Sequence, residues 1–309
     1  VGKSHARDCP VSGLAPWAGG LFYTWPAMPL PACAMSPRPL AHPARRRWLL
    51  MTAATVLSGS ALAQVAVGDA SRLRHLVPAE QLEQSDQQQY AQLLQEAKAQ
   101  GRLVPTSDAQ VQRLHAIAQR LIPFTAQWNR RASQWQWQVA LIRSPDINGF
   151  CMPGGEIGGY TGILDTLRLT DDEVAMVMGH EMAHALREHA REQLAKNSAT
   201  SIGISLGAQL LGLGDIGNYA AQLGGQLLSL NFSRSDESDA DLVGLEIAAR
   251  AGYNPQAAVR LWEKMGQATG NSTQGLAFLS THPSGPQRIR QLQANVPKVQ
   301  GLYEQAKRR

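Results

Sequence analysis

The sequence predicts an α+β fold in which helices dominate and the sheet is small. Three observations carry that prediction. Apolar residues recur at helical spacing over several long stretches, only two short segments read as strands, and no internal repeat is present. Apolar content of 44% over 309 residues supports a proper core and excludes a disordered or fibrous chain.

Residues 1–63 read as a leader. Arg45-Arg46-Arg47 precede an apolar run from Trp48 to Leu57, which ends in Ala61-Leu62-Ala63. These are the parts of a secretory signal peptide, with cleavage expected before Gln64. The alternative is an uncleaved membrane anchor, but the run is short against the roughly 20 residues of a bilayer crossing. No Cys follows the cleavage point, so lipid attachment there is not expected. Residues 1–34, ahead of Met35, read as an over-extended start or an unstructured leader.

The leader also explains the charge. Of 29 Lys and Arg, six lie in residues 1–63 beside a single acid, Asp8, so the 23 basic and 23 acidic residues that follow cancel. The net charge of +5 therefore gives the folded part no nucleic-acid footprint. Cys9 and Cys33 lie in the leader, which leaves Cys151 alone and no internal disulfide expected.

Residues 64–309 are expected to form one domain. It begins with a helical segment, 78–122, whose apolar positions give a helix from Pro78 to Gly101 and a second from Asp108 to Ile122, stopped by Pro123. Trp135 to Ile142 alternates with period two, a half-buried strand with Trp135, Trp137, Val139 and Leu141 on one face. Residues 148–155 are turn-rich and lead into a second strand at Glu156–Tyr160. Thr170, with Glu173 three residues on, is a helix start, and the helix is expected to run from Asp171 to about Lys196. The Gly-rich stretch Ile202 to Leu230 fits a buried helical pair; the alternative is a mobile lid or a membrane-contacting hairpin. A further helix is expected from Ser235 to Ala251, stopped by Gly252 and Pro255.

The helix after Thr170 carries His180-Glu181-Met182-Ala183-His184. Residues i and i+4 share a helix face, so two imidazoles can meet one metal ion. Glu181 can then act as general base on a water without binding the metal itself. The bland alternative is a pair of structural histidines. Catalytic zinc usually has three protein ligands. A metzincin-type extension would need Gly at 187 and His at 190, where this chain has Arg187 and Ala190. His189 lies roughly 140° around a continuous helix from His184 and reads as solvated. The third ligand is then expected to be a carboxylate from the 233–241 segment. Glu237 and Asp241, one turn apart, allow Glu237 to ligate while Asp241 orients an imidazole; an ordinary acidic helix surface is the alternative.

At this point the chain resembles the zinc metallopeptidase family of HtpX and the Ste-type CAAX prenyl proteases, in its soluble periplasmic branch with BepA and LoiP. The resemblance runs from Trp135 to Arg290. It rests on Asn148-Gly149-Phe150-Cys151-Met152-Pro153-Gly154-Gly155, on the His180–His184 motif, on Ser233-Arg234-x-x-Glu237-x-x-Ala240-Asp241, on Ala251-Gly252-Tyr253-Asn254-Pro255 and on Thr281-His282-Pro283. Gly149 replaces an Ala and Asp239 a Glu of the family pattern. The resemblance implies a zincin-like metalloendopeptidase with one Zn2+ per subunit, held by His180, His184 and Glu237, with Asp241 in support and Glu181 catalytic. It also implies a role for His282, either capping the metal or stabilising an oxyanion; a simple turn histidine is the alternative. The short chain, without long apolar spans or room for a helical-repeat domain, fits the soluble branch. The implied setting is the periplasm, free or associated with a membrane surface, with unfolded or misassembled envelope proteins as substrates. A latent, chaperone-like zinc protein with little proteolysis is the competing reading.

Overall fold

Residues 65–197, 230–271, 278, 281–282 and 285–309 are described by the structure, a computed structural model. The expected leader lies outside these residues, as does the Gly-rich stretch up to its last residue, the buried Leu230. Helices α1 (Ala79–Ala99) and α2 (Ala109–Leu121) form where the apolar spacing put them. Asp108 caps α2 by accepting the Gln110 N–H at 2.8 Å.

The sheet has three strands, β1 (Gln138–Ile142), β2 (Gly149–Met152) and β3 (Glu156–Tyr160), in the order β1-β3-β2. The central β3 runs parallel to β1 and antiparallel to β2. Two expectations change here. The segment 148–155 is half strand, and only Pro153-Gly154-Gly155 turns, with Gly154 and Gly155 at φ +116° and +99°. In β1, Ala140 and Ile142 are buried along with Leu141, so the strand is covered on both faces rather than half-buried. One face packs on Tyr90 of α1 through Ala140, Phe150 and Met152, while Leu141 and Ile157 join the main core with α2.

After α3 (Thr161–Leu167), α4 (Asp171–Leu186) starts with the expected capping box, in which the Thr170 hydroxyl and the Glu173 carboxylate each accept the other's backbone N–H. Every residue of α4 from Glu173 onward is buried, so it is the central element of the domain. The expected continuation to Lys196 is broken. Glu188 adopts φ +59° and pairs with Arg74 at 3.2 Å and Arg191 at 2.7 Å; a separate helical segment, α5, then occupies 189–197.

Three long helices follow, α6 (Arg234–Arg250), α7 (Gln256–Asn271) and α8 (Pro286–Lys307). α6 ends at Gly252, whose φ of +80° suits glycine. α4 and α6 meet backbone to backbone at Gly179 and Gly244, where a Cβ on Gly179 would lie 2.9 Å from the Gly244 carbonyl oxygen. No described helix is long and apolar enough to cross a membrane.

Candidate metal centre

The glycine contact brings the face of α4 that carries His180 and His184 against the first turns of α6. Four side chains converge there: His180, His184, Glu237 and His282, all buried, each with one donor atom within 4.8 Å of the others'. His180 Nε2 lies 3.1 Å from His184 Nε2. Glu237 reaches both rings, Oε1 to His184 Nε2 at 3.4 Å and Oε2 to His180 Nε2 at 3.6 Å. His282 Nδ1 is 3.3 Å from His180 Nε2 and 3.0 Å from Glu237 Oε1. Asp241, one turn beyond Glu237, faces the other side of the first ring, with Oδ1 3.0 Å from His180 Nδ1.

Glu181 points to the same space. Its Oε1 is buried, has no hydrogen-bond partner, and lies 3.6 Å from His282 Nε2. Burial raises its pKa against the pull of the His282 and His180 rings. At Glu237 burial also pushes upward, but hydrogen bonds from His184 and His282 outweigh it and hold the carboxyl far below its usual range. Burial holds the His184 ring neutral, well below its ordinary pKa, despite the hydrogen bond to Glu237. Burial would lower His282 too, yet the Glu181 and Glu237 carboxylates outweigh it and raise that ring.

The donor set suits a zinc ion. Zinc–ligand distances of about 2.0–2.1 Å put tetrahedral ligand atoms roughly 3.3 Å apart. The His180, His184 and Glu237 atoms lie 3.1–3.6 Å from one another. Two imidazoles and one carboxylate are also a ligand set of catalytic zinc.

Two neighbours were not legible as site residues. His189, expected to be solvated, is buried, and its Nδ1 is 3.0 Å from His184 Nδ1. The left-handed Glu188 breaks the helix, so the 100° step that turned His189 away no longer applies. Arg288 makes two 2.7 Å bonds to the Asp241 carboxylate and pairs with Glu237 Oε2, its guanidinium 3.7 Å above the Trp262 ring. One signal was available: a cation in the first turn of α8 opposes the helix dipole and asks for anionic partners. Asp239, two positions from Glu237, lies outside the donor group and pairs with Arg187 at 3.0 Å. Cys151 is unpaired in β2 and outside the donor group.

A groove of about 50 Å³ runs from β2, along Asn148 to Pro153, to Glu181, His184 and His282. Among the described residues β2 pairs only with β3, leaving its other edge open beside this groove.

Comparison with known proteins agrees with this chemistry. The chain is 38% identical over 169 residues to the mitochondrial metalloendopeptidase OMA1 of Schizosaccharomyces pombe, covering 54% of this chain and 49% of that protein. It is 40% identical over 161 residues to the OMA1 of Arabidopsis thaliana, 52% of this chain and 32% of the relative. The beta-barrel assembly-enhancing protease of Escherichia coli O157:H7 is 29% identical over 159 residues, 48% and 32% of the two chains. The chain thus spans half or less of the length of these relatives. A match to Peptidase family M48 covers residues 108–296, more than half of the chain. The protein belongs to peptidase family M48.

Proposed function

We propose that the chain is a zinc-dependent endopeptidase, with His180, His184 and Glu237 holding the metal and Glu181 as general base. The observation that supports this most is Glu181 Oε1, buried and without a hydrogen-bond partner beside a donor set of zinc-like dimensions, at the end of a groove. Zinc bound there would supply Lewis acidity, to polarise a peptide carbonyl and lower the pKa of water. Glu181 accepts the proton of the attacking water and delivers it to the leaving amine, a shuttle that its raised pKa favours. Asp241 accepts the Nδ1 proton of His180, which leaves the Nε2 lone pair facing the cluster. The open edge of β2 suits an extended substrate added as a strand.

A second reading has one observation in its favour. His282 is a fourth donor, and its Nδ1 approaches both His180 and Glu237. In that position it would cap a bound metal and make the protein a latent, chaperone-like zinc factor; swung toward substrate, its raised pKa would let it donate to an oxyanion. The wider setting belongs to the proposal as well: residues 64–309 as one domain exported by the 45–63 segment, acting on unfolded or misassembled envelope proteins. The resemblance to a protein named for beta-barrel assembly supports that setting.

The test is casein cleavage by metal-loaded protein. Glu181→Gln should keep stoichiometric zinc and lose at least about a thousandfold in rate; retained cleavage would remove Glu181 from the mechanism. His282→Ala separates the two readings, since activity rises if the ring caps the metal and falls if it serves the oxyanion.

A further inference from the structure

The β2 groove meets a second cavity at Gly149, Phe150 and Glu181. This one has a volume of about 40 Å³ and lies between the sheet and α4, floored by Val174, Val177 and Met178. Those three residues and Glu181 follow one another at helical spacing, so the cavity runs along the α4 stripe that ends at the catalytic carboxyl.

Its origin is in the strand register. Gly149 on β2 stands opposite Gly159 on β3, and both fall on the α4-facing side by alternation with Cys151 and Ile157. Two adjacent positions on that face therefore carry no side chain. The backbone does not require it, because neither glycine has a positive φ. Crowding does not require it either. A Cβ on Gly149 would come no nearer than 3.6 Å to another atom, the Gly158 carbonyl oxygen, and one on Gly159 no nearer than 3.8 Å, to Leu141 Cδ1. The void has room for methyl groups that the chain does not place there.

The reaction says what could fill it. Glu181 must reach the nitrogen that leaves, and that nitrogen belongs to the residue just after the scissile bond. Two bonds separate it from that residue's Cβ, so this side chain is held beside Glu181, which lines both the groove and the cavity.

We propose that this cavity is the subsite for the side chain following the scissile bond, and that it selects small aliphatic residues. The inference rests on the peptidase reading given above. Size and lining set the class. A single water needs about 10–15 Å³ and a benzene-binding cavity is about 150 Å³, so about 40 Å³ suits a methyl to an isopropyl group. Glu181 is the one ionisable group in the lining, so a buried acidic or basic side chain finds no second partner and an acidic one meets repulsion. Gly149 and Gly159 are then the specificity-determining positions.

Two measurements test it on the full metal-loaded chain. The first compares kcat/KM for fluorogenic peptides that differ only in the residue after the scissile bond: Ala, Val, Phe or Asp, with cleavage sites checked by mass spectrometry. Val should exceed Phe and Asp by about tenfold or more, and the Gly149→Ala/Gly159→Ala double variant should lower the Val-to-Ala ratio about tenfold. The second is calorimetric binding of short peptides that begin with Val, Phe or Asp, which needs no turnover. Val-selective binding lost in the double variant, without cleavage by wild type, keeps the subsite and removes the peptidase reading. Cleavage or binding indifferent to this side chain overturns the subsite, as does a double variant whose ratios match wild type.

Discussion

His189 touches the ring of His184, which it follows by five residues, and bears on how that ring is turned. If His184 turns Nε2 to the cluster, its Nδ1 carries the proton, and His189 Nδ1 accepts it at 3.0 Å. The buried His189 ring is held neutral, its pKa lowered to about 4, chiefly by burial and despite the Asp236 carboxylate. Replacing His189 with Leu removes the acceptor and leaves the His184 ring free to turn. The expected result is a 10–100-fold weaker zinc affinity in a competition titration, with His189→Asn, whose amide oxygen can accept the same proton, restoring much of it. Equal affinity in wild type and the Leu variant would show that the contact has no orienting role. The His180–His184 spacing and the acids of 233–241 were legible because helix periodicity is local. His189 was not, because its position depends on one left-handed residue, Glu188, that no spacing rule announces.

At the scale of elements, the α4–α6 contact sets the distance between the two halves of the donor set. A Cβ on Gly244 would lie 2.7 Å from the Gly179 carbonyl carbon and from the His180 nitrogen, both backbone atoms that cannot rotate aside. Gly244→Ala should therefore push the helices apart, costing about 1–3 kcal/mol in denaturant unfolding and weakening zinc binding. Binding and stability both equal to wild type would mean that the helices tolerate the shift. The sequence showed each helix but not this crossing, since a glycine inside a helix does not name its partner.

The α1–hairpin contact carries a different tension. Asp86 of α1 is buried with neither carboxyl oxygen hydrogen-bonded, and Glu156 at the start of β3 has one buried oxygen unpaired. Burial raises both, Glu156 to about 7; the Glu156 charge adds repulsion to Asp86, and Glu83, paired with Arg131 at 2.6 Å, adds repulsion to each. Tyr90, which donates to the Ile157 carbonyl at 3.0 Å, and the Cys151 thiol complete the titratable surroundings. Because the folded pKa of Glu156 exceeds the unfolded value near ~4.3, its protonated form favours folding fully below that value. The contribution is lost as pH rises through about 7. Melting temperature should therefore fall between pH 5 and 8, and Glu156→Gln should flatten that fall by a few degrees. Parallel pH profiles of the two proteins would count against it.

For the whole molecule, fold class could be read from the chain, because apolar periodicity recurs and Thr170 announces its helix; β2, α3, α7 and α8 were not expected. Tertiary closure could not be read either: the two-sided burial of β1 comes from α1 on one face and the main core on the other, neither visible in the local alternation. The donor cluster joins residues from α4, from α6 and from His282, so a metal bound there links three separate stretches of chain. Zinc at about 100 times its Kd should add roughly 2.7 kcal/mol, and chelation should lower the melting temperature by about 5–10 °C. A melting temperature unmoved by chelation and by zinc would argue against a metal in this place.

The glycine crossing has one more effect. At the crossing itself α4 and α6 meet main chain to main chain, so no rotamer there can repack and the spacing of the donor set follows how closely two backbones approach. The ordering entropy of the cage is then met when the domain folds, not when an ion arrives. Loading the ion should slow amide exchange in the central helix only by the global stabilisation of roughly 2.7 kcal/mol, with no further local protection, and the empty protein should behave as a rigid socket.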